Sequence, residues 1–546
     1  MRWPWVAVLV SMLAVPSLRA DGRHCGTHPG VQRELRALHD LAAAGGRVAA
    51  AARGSDVDVD DVAVLVDRGD LIVRRNPFDL DGSALRLTPN RSGGYDVARL
   101  ALPTEPPGSA LGLGDDEARA IALGFAFPFF GVAHPRAFVH SDGHVTFGSP
   151  DAGAGDPGLA RFLDGGPRIA AFFADLEPSR GGSISVRAEA ARVVILWSAV
   201  PGAGQINRNT FQLALHADGA IDLAWAGMQT REGIVGIAPG RPGEVAAVDW
   251  SEAAPAPSAG ALVERFSESE HVDLVAATRR FLSGWPDVFQ QVVVYTTRPL
   301  NPVPGTLAFE INVRNDVLGI GLETMDHSRA WGSAGALESV VYMDSVDTYA
   351  DTDGFEILAH EVGHRWLARL RLGGDGALPR ATLLGRGGVH WSFFLDSDAS
   401  VMEGNAIADR GNGRFETVDF ARRFSPLDQY AMGLRTAAEV PPFFYVDVPD
   451  DFRPNRPFKA SSAPEAGISF TGVRRDVRIE DVVRAMGPRV PAAAPPIFRQ
   501  AFVLIADDSV PATEGRVRTV ARIRSRFGPY FTEATGVRGI ASSILR

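Results

Sequence analysis

The chain of 546 residues has one cysteine, Cys25, and its basic residues are nearly all arginine, with Lys459 a rare exception. A single cysteine cannot close a disulfide within the chain, so a disulfide framework is excluded as the source of stability. Lys and Arg together number 55 against 65 Asp and Glu, which gives a formal net charge of −10. This balance lacks the basic stripe that phosphate binding requires, and we expect no nucleic-acid partner.

Long apolar runs are also scarce. The run from Val6 to Val15 is shorter than the roughly 20 residues that span a bilayer. Arg2 precedes it and Leu18-Arg19-Ala20 follows it, a pattern typical of a signal peptide over residues 1–20. The sequence therefore predicts a secreted or periplasmic protein without a membrane span in its mature form.

The chain is too long for one hydrophobic core, and its patterns predict a multidomain protein. A rhythm of short strands over residues 105–250 favours an antiparallel β-sandwich, and strands followed by a helix over 263–435 favour an α+β domain with a mixed sheet. The remaining segments are an N-terminal region or pro-segment over 21–104 with hairpins at 62–73 and 84–100, a linker over 251–262, and a C-terminal subdomain over 436–546.

Local patterns place individual elements in the second half of the chain. We expect helices at Leu274–Trp285, Gly354–Leu370, 479–486 and 515–526, and strands at Gln291–Thr296, Leu307–Val313, Val317–Leu322 and Ser339–Met343.

Several motifs in the β-rich part point to one known domain family. They are Leu123-Gly124-Phe125, Phe127-Pro128-Phe129-Phe130-Gly131, His140-Ser141-Asp142-Gly143 and the run from Ile169 to Leu176. These residues resemble a nidogen-like extracellular domain. The resemblance implies an accessory β module with an extracellular matrix or surface partner, and it implies no chemistry.

One motif carries chemistry: His360-Glu361-Val362-Gly363-His364. On a helix, positions i and i+4 share a face, so His360 and His364 present two imidazoles to one ion. A catalytic Zn²⁺ takes three protein ligands and a water, and Glu361 is placed to act as the general base on that water.

The third ligand has several candidates in the sequence. The long metzincin signature requires Gly at position 367 and His at 370, where this chain has Leu367 and Leu370. The next histidine, His390, is the leading assignment. Asp396, Asp398 and Glu403 are acidic alternatives, since a carboxylate also suits zinc.

Residues 270–435 resemble a metzincin-like zincin with stretched ligand spacing. The resemblance implies a zinc metallopeptidase, with Met402 in Ser400-Val401-Met402-Glu403 as the Met-turn beneath the metal and Met432 as a competitor. Tyr430 is a candidate donor to the developing oxyanion, the alternative being a packed core tyrosine.

Cys25 lies in Arg23-His24-Cys25-Gly26-Thr27, which resembles the cysteine-switch segment of zincin precursors. The resemblance implies that its thiolate takes the fourth metal position and keeps a precursor latent. The alternative is a stray thiol without a role.

These patterns predict a secreted zinc-dependent endopeptidase that acts on protein or peptide substrates. The alternative is an extracellular adhesion or matrix-binding protein whose β domain binds a partner and whose zinc site is structural or inactive. Glu361 favours catalysis, because a structural zinc site needs no general base.

Overall fold

A computed structural model describes residues 24–25, 56–101, 105–151, 158–240, 245–251, 260–300, 306–374, 377–448, 458–507 and 509–545. The predicted signal peptide and most of the predicted linker lie outside the described residues. In the described part of the chain, no helix combines the length and the apolar character that crossing a bilayer requires.

The strands before residue 250 are β1 (His24–Cys25), β2 (Val57–Val59), β3 (Val62–Val66), β4 (Ile72–Val73), β5 (Ala84–Pro89), β6 (Tyr95–Leu100), β7 (Ser109–Ala110), β8 (Ala118–Phe129), β9 (Val132–His140), β10 (His144–Thr146), β11 (Arg168–Phe173), β12 (Ser183–Ala188), β13 (Arg192–Val200), β14 (Asn209–His216), β15 (Ile221–Trp225), β16 (Gly233–Ala238) and β17 (Val245–Ala247).

The later strands are β18 (Ala261–Phe266), β19 (His271–Val272), β20 (Gln291–Thr296), β21 (Thr306–Asn312), β22 (Arg314–Asn315), β23 (Met325–Asp326), β24 (Ser339–Ser345), β25 (Leu372–Gly374), β26 (Ala377–Arg380), β27 (Asn405–Asp409), β28 (Arg414–Phe420), β29 (Phe443–Asp447), β30 (Ser469–Thr471), β31 (Val473–Val477), β32 (Ile497–Ala506) and β33 (Ile540–Ser542). The helices are α1 (Leu159–Asp164), α2 (Leu274–Gly284), α3 (Phe355–Gly363), α4 (Pro426–Met432), α5 (Ile479–Met486) and α6 (Glu514–Ala534).

Two sheets build the β-rich half. Their strand orders are β17-β18-β16-β11-β10-β9-β8 and β6-β5-β15-β14-β13-β12-β7, and nearly all their pairs are antiparallel. Inward-facing residues of both sheets, such as Val139 and Ile169 in one and Ile195 and Leu213 in the other, form one hydrophobic core. This two-sheet packing is the sandwich that alternating short strands predict.

A mixed sheet builds the other half, in the order β1-β21-β24-β20-β32-β3-β2, with β33 beside β32. Its central pairs are parallel, and β21 pairs antiparallel with β24. Alternate residues of β20 enter opposite cores, so that Val293 packs with α3 and α6 while Val292 packs with α2. Helices therefore cover both faces, and α3 is held against the sheet by Leu358, Ala359 and Val362.

The N- and C-terminal regions depart from the predicted layout. The hairpin expected at residues 62–73 does not form, because β3 pairs with β2 and β32 while β4 pairs with β19. The hairpin at 84–100 does form, and β5 joins the sandwich by pairing with β15. Strand β32 (497–506) falls in the predicted C-terminal subdomain over 436–546. It lies inside the mixed sheet and shares the core of that sheet.

Two element predictions in the mixed-sheet region need correction. No strand forms over Val317–Leu322, where Gly319 and Gly321 adopt φ of +75° and +83° and turn the chain. The helix expected to reach Leu370 ends at Gly363, with His364 as its C-cap residue. Further along the chain, Ala368 has a φ of +56°, which an α-helix does not allow.

Candidate metal centre

Helix α3 positions the first two imidazoles. Its apolar side faces the sheet, while His360 and His364 lie one turn apart and are 8% and 0% exposed. Their Nε2 atoms are 3.1 Å apart. The short helix thus directs two ring nitrogens at one point, as the i, i+4 spacing predicts.

His390 completes a set of three imidazoles. It lies in the loop after α3, is 1% exposed, and places its Nε2 3.3 Å from Nε2 of His360. The structure therefore brings the leading sequence candidate for the third ligand to the other two, from 30 positions away along the chain.

Backbone carbonyls orient two of the rings. Nδ1 of His360 donates to the carbonyl of Val401 at 2.8 Å, and Nδ1 of His390 donates to the carbonyl of Arg386 at 2.7 Å. Because a carbonyl only accepts, each of these rings carries a proton on Nδ1. Each Nε2 is then the ring atom that faces the shared point, which is how outer partners orient metal-binding histidines.

Cys25 occupies the remaining side of this point. Its Sγ lies 3.2 Å from Nε2 of His364 and 3.4 Å from Oε2 of Glu361. Strand β1 brings it there by pairing parallel with β21, in a register that sets Cys25 opposite Ala308. The ligand atoms of Cys25, His360, His364 and His390 all lie within 4.8 Å of one another.

These four residues fit a tetrahedral zinc ion. Zn–N distances of about 2.0–2.1 Å separate two tetrahedral nitrogens by about 3.3 Å, close to the separations observed. Burial lowers the pKa of His364 well below its usual value and lowers that of His390 to about 3. Both rings are therefore neutral near pH 7, as a metal ligand must be.

An ion pair lies beside the third imidazole. Arg386 Nε donates to Oε2 of Glu403 at 3.0 Å, and a second, shorter bond joins Nη2 to Oε1. Oε1 of Glu403 is 3.9 Å from Nε2 of His390. Burial raises the pKa of Glu403, but its interactions with His390 and Arg386 lower that pKa to about 2. Glu403, a predicted alternative ligand, therefore neutralises Arg386 at the edge of the centre.

Met402 packs against helix α3. A Cβ placed on Gly363 would be 2.8 Å from Sδ of Met402, so this sulfur packs against the residue before His364. The same turn supplies the Val401 carbonyl that orients His360. Met432 is buried in the same core, but the sulfur against Gly363 belongs to Met402.

A buried carboxylate ties this turn to the His390 loop. Asp428 at the start of α4 accepts from Trp391 Nε1 at 2.9 Å and from Ser400 Oγ at 2.6 Å. It also completes a capping box with Ser425. Sequence reasoning missed this role and that of Arg386, although Arg386 precedes His390 by four residues.

Three other candidates have their contacts elsewhere. Asp396 accepts from the backbone N–H of Ile407 at 3.0 Å, and the Asp398 side chain is 57% exposed near Arg423. The Tyr430 hydroxyl is buried and accepts from the backbone N–H of Arg489 at 3.1 Å. None of these contacts involves the three imidazoles.

Comparison with known families identifies one region. Residues 101–277 match the family model described as NIDO related, which covers the sandwich predicted over 105–250. No curated protein and no solved structure matches the chain. The β-rich half therefore contains a nidogen-related domain.

Proposed function

We propose that this protein is a secreted zinc-dependent endopeptidase of the zincin class. The observation that carries the proposal is the convergence of three buried imidazoles with the Glu361 carboxylate at one point. A structural zinc site has no use for a buried carboxylate that is not a ligand, whereas a catalytic site needs a base beside the position that its water occupies. Glu361 is 1% exposed and faces that fourth position, next to Cys25 Sγ.

His360, His364 and His390 would hold the ion. When bound, zinc supplies a Lewis acid that lowers the pKa of a water molecule and polarises a peptide carbonyl. The chain's own contribution is Glu361, which takes the proton of the attacking water and returns it to the leaving amine. Burial of all three histidines keeps bulk water away from this exchange.

In this proposal, Cys25 keeps the peptidase inactive until its segment is released. Its Sγ occupies the place that an attacking water needs and lies against both His364 and Glu361. A thiolate is a strong zinc ligand, so binding it excludes the water and the substrate together. Release of the segment that carries Cys25 would open the centre.

The test removes the segment that carries Cys25 from the purified protein. It then measures zinc content and casein hydrolysis with and without a chelator. We expect about one zinc per chain, hydrolysis that the chelator abolishes, and a Glu361→Gln variant that keeps zinc but loses activity. A zinc-loaded protein that cleaves no protein substrate would refute the proposal.

The match of residues 101–277 favours a second candidate function, an extracellular binding protein whose sandwich contacts a matrix or surface partner. In that case the zinc centre would serve stability. Zinc removal would then lower the melting temperature, and Glu361→Gln would change neither partner binding nor any hydrolysis.

A further inference from the structure

Arg386 has a side chain that reaches from the His390 loop towards the fourth metal position. Its Nη2 lies 3.3 Å from Nε2 of His390, and its Nη1 donates to the backbone carbonyl of Cys25 at 3.5 Å. The side chain is 29% exposed, so the guanidinium is not sealed inside the protein.

Two contacts fix this guanidinium in place. Glu403 accepts two hydrogen bonds from it, which holds the planar group in one orientation and balances its charge. The backbone of the same residue is fixed as well, because its carbonyl accepts from His390 Nδ1. Arg386 is therefore preorganised relative to the imidazoles.

The group that Arg386 contacts is a peptide carbonyl beside the metal position. Strand β1 is the end strand of the mixed sheet, beside β21, and it places the sulfur of Cys25 among the three imidazoles. A peptide that replaces β1 there would bring its own carbonyl within reach of the same Nη1. A fixed cation strengthens its hydrogen bond as that oxygen gains negative charge during attack by water.

We propose that Arg386 is a catalytic residue that binds the carbonyl oxygen of the peptide bond being cut, and that the Cys25 carbonyl is its stand-in partner in the latent protein. This inference rests on the proposed peptidase function. It assigns to Arg386 the role that the sequence had suggested for Tyr430.

The test compares Arg386→Lys and Arg386→Ala in a Cys25→Ala background, with zinc content measured for each. For Arg386→Ala we expect kcat on a fluorogenic peptide to fall about 100-fold or more while KM changes by less than about 3-fold, as for loss of an oxyanion donor. Arg386→Lys keeps the charge and should lose less. Arg410→Ala, which removes an exposed arginine paired with Glu416, is the control and should match the background.

A second measurement does not depend on turnover. The affinity for a peptide phosphonamidate, whose tetrahedral oxygen mimics the charged intermediate, should fall by the same factor as kcat/KM in Arg386→Ala, whereas the affinity for a product peptide should not. In the protein that retains Cys25, Arg386→Ala should also speed the reaction of the Cys25 thiol with a disulfide reagent several-fold.

The outcomes separate the two proposals. A kcat within about 3-fold of the background, or an unchanged phosphonamidate affinity, overturns the role of Arg386 and leaves the peptidase function intact. If Arg386→Ala loses zinc, Arg386→Gln, which keeps a polar side chain but removes the charge, decides by the same criteria. A zinc-loaded Cys25→Ala protein that cleaves no peptide and binds no phosphonamidate overturns both.

Discussion

The sulfur of Cys25 lies 3.2 Å from Nε2 of His364, although the two residues are 339 positions apart. Strand β1 makes this contact possible by pairing with β21, which places the thiol beside the imidazoles. We therefore expect Cys25→Ala to raise the peptidase activity of the precursor at least about 10-fold without added protease, because it vacates the fourth zinc position. A continuous casein assay checks this. A variant as latent as the original protein, with equal zinc content, would show that Cys25 does not block the centre.

The third-ligand assignment predicts a graded effect on zinc. His390→Ala should weaken zinc binding at least about 100-fold, since removing a ligand costs more than the 10- to 100-fold seen for outer partners. Asp398→Ala should leave zinc binding unchanged, because its side chain is 57% exposed and pairs with Arg423. Competition with a chromophoric chelator measures both. Equal zinc affinity for His390→Ala and the original protein would return the third ligand to the acidic candidates.

The packing of Met402 against α3 predicts that Gly363 tolerates no side chain. Gly363→Ala would place a Cβ 2.8 Å from Met402 Sδ and 3.0 Å from Leu367 Cδ1, and it should destabilise the protein by about 1–3 kcal/mol. Gly284→Ala is the matched control, because Gly284 also ends a helix and a Cβ there meets nothing within 4 Å. Urea denaturation of the two variants tests the difference. If adding Met402→Ala to Gly363→Ala recovers no stability, the contact is not the cause.

Glu264 predicts a pH dependence in the sandwich. It accepts from the backbone N–H of Trp250 at 2.9 Å, and burial raises its pKa from 4.5 to about 7. Because the folded protein binds this proton more tightly than the unfolded chain does, the group costs no stability below pH 4.5. Between pH 4.5 and about 7 it destabilises the fold progressively, by about 1.4 kcal/mol per pH unit and up to about 3 kcal/mol in total.

Glu264→Gln should remove this loss. From pH 5 to pH 8, the variant should become more stable relative to the original protein by up to about 3 kcal/mol of unfolding free energy. Unfolding monitored by tryptophan fluorescence measures this difference. Glu268→Gln, at an exposed position paired with Arg75, is the control. A difference that stays constant over this range would show that Glu264 titrates normally.

Local spacing made part of the site predictable. His360 and His364 had to share a face once their segment was helical, because the helix repeat fixes that relation. The sequence left His390 among four candidates, since nothing local says where a loop returns. Arg386 and Asp428 escaped notice because their roles depend on partners, Glu403 and Trp391, that only the folded loop brings near.

The fold follows the same division. Antiparallel neighbours joined by short turns, such as β5 and β6 around Gly93, follow from turn residues and alternation. The parallel pairing of β3 with β32 joins strands more than four hundred residues apart and has no turn to mark it. The run Val317–Leu322 has the composition of a strand, but it forms none because Gly319 and Gly321 adopt left-handed backbone conformations that turn the chain.

X-ray absorption at the zinc edge of the purified, unactivated protein tests the zinc centre and its blocking thiol most directly. The account predicts one zinc with three nitrogen ligands near 2.0–2.1 Å and one sulfur near 2.3 Å, and loss of the sulfur alone in Cys25→Ala. A protein that binds no zinc would contradict it. So would a zinc shell that stays unchanged in Cys25→Ala and that survives replacement of His360 and of His390.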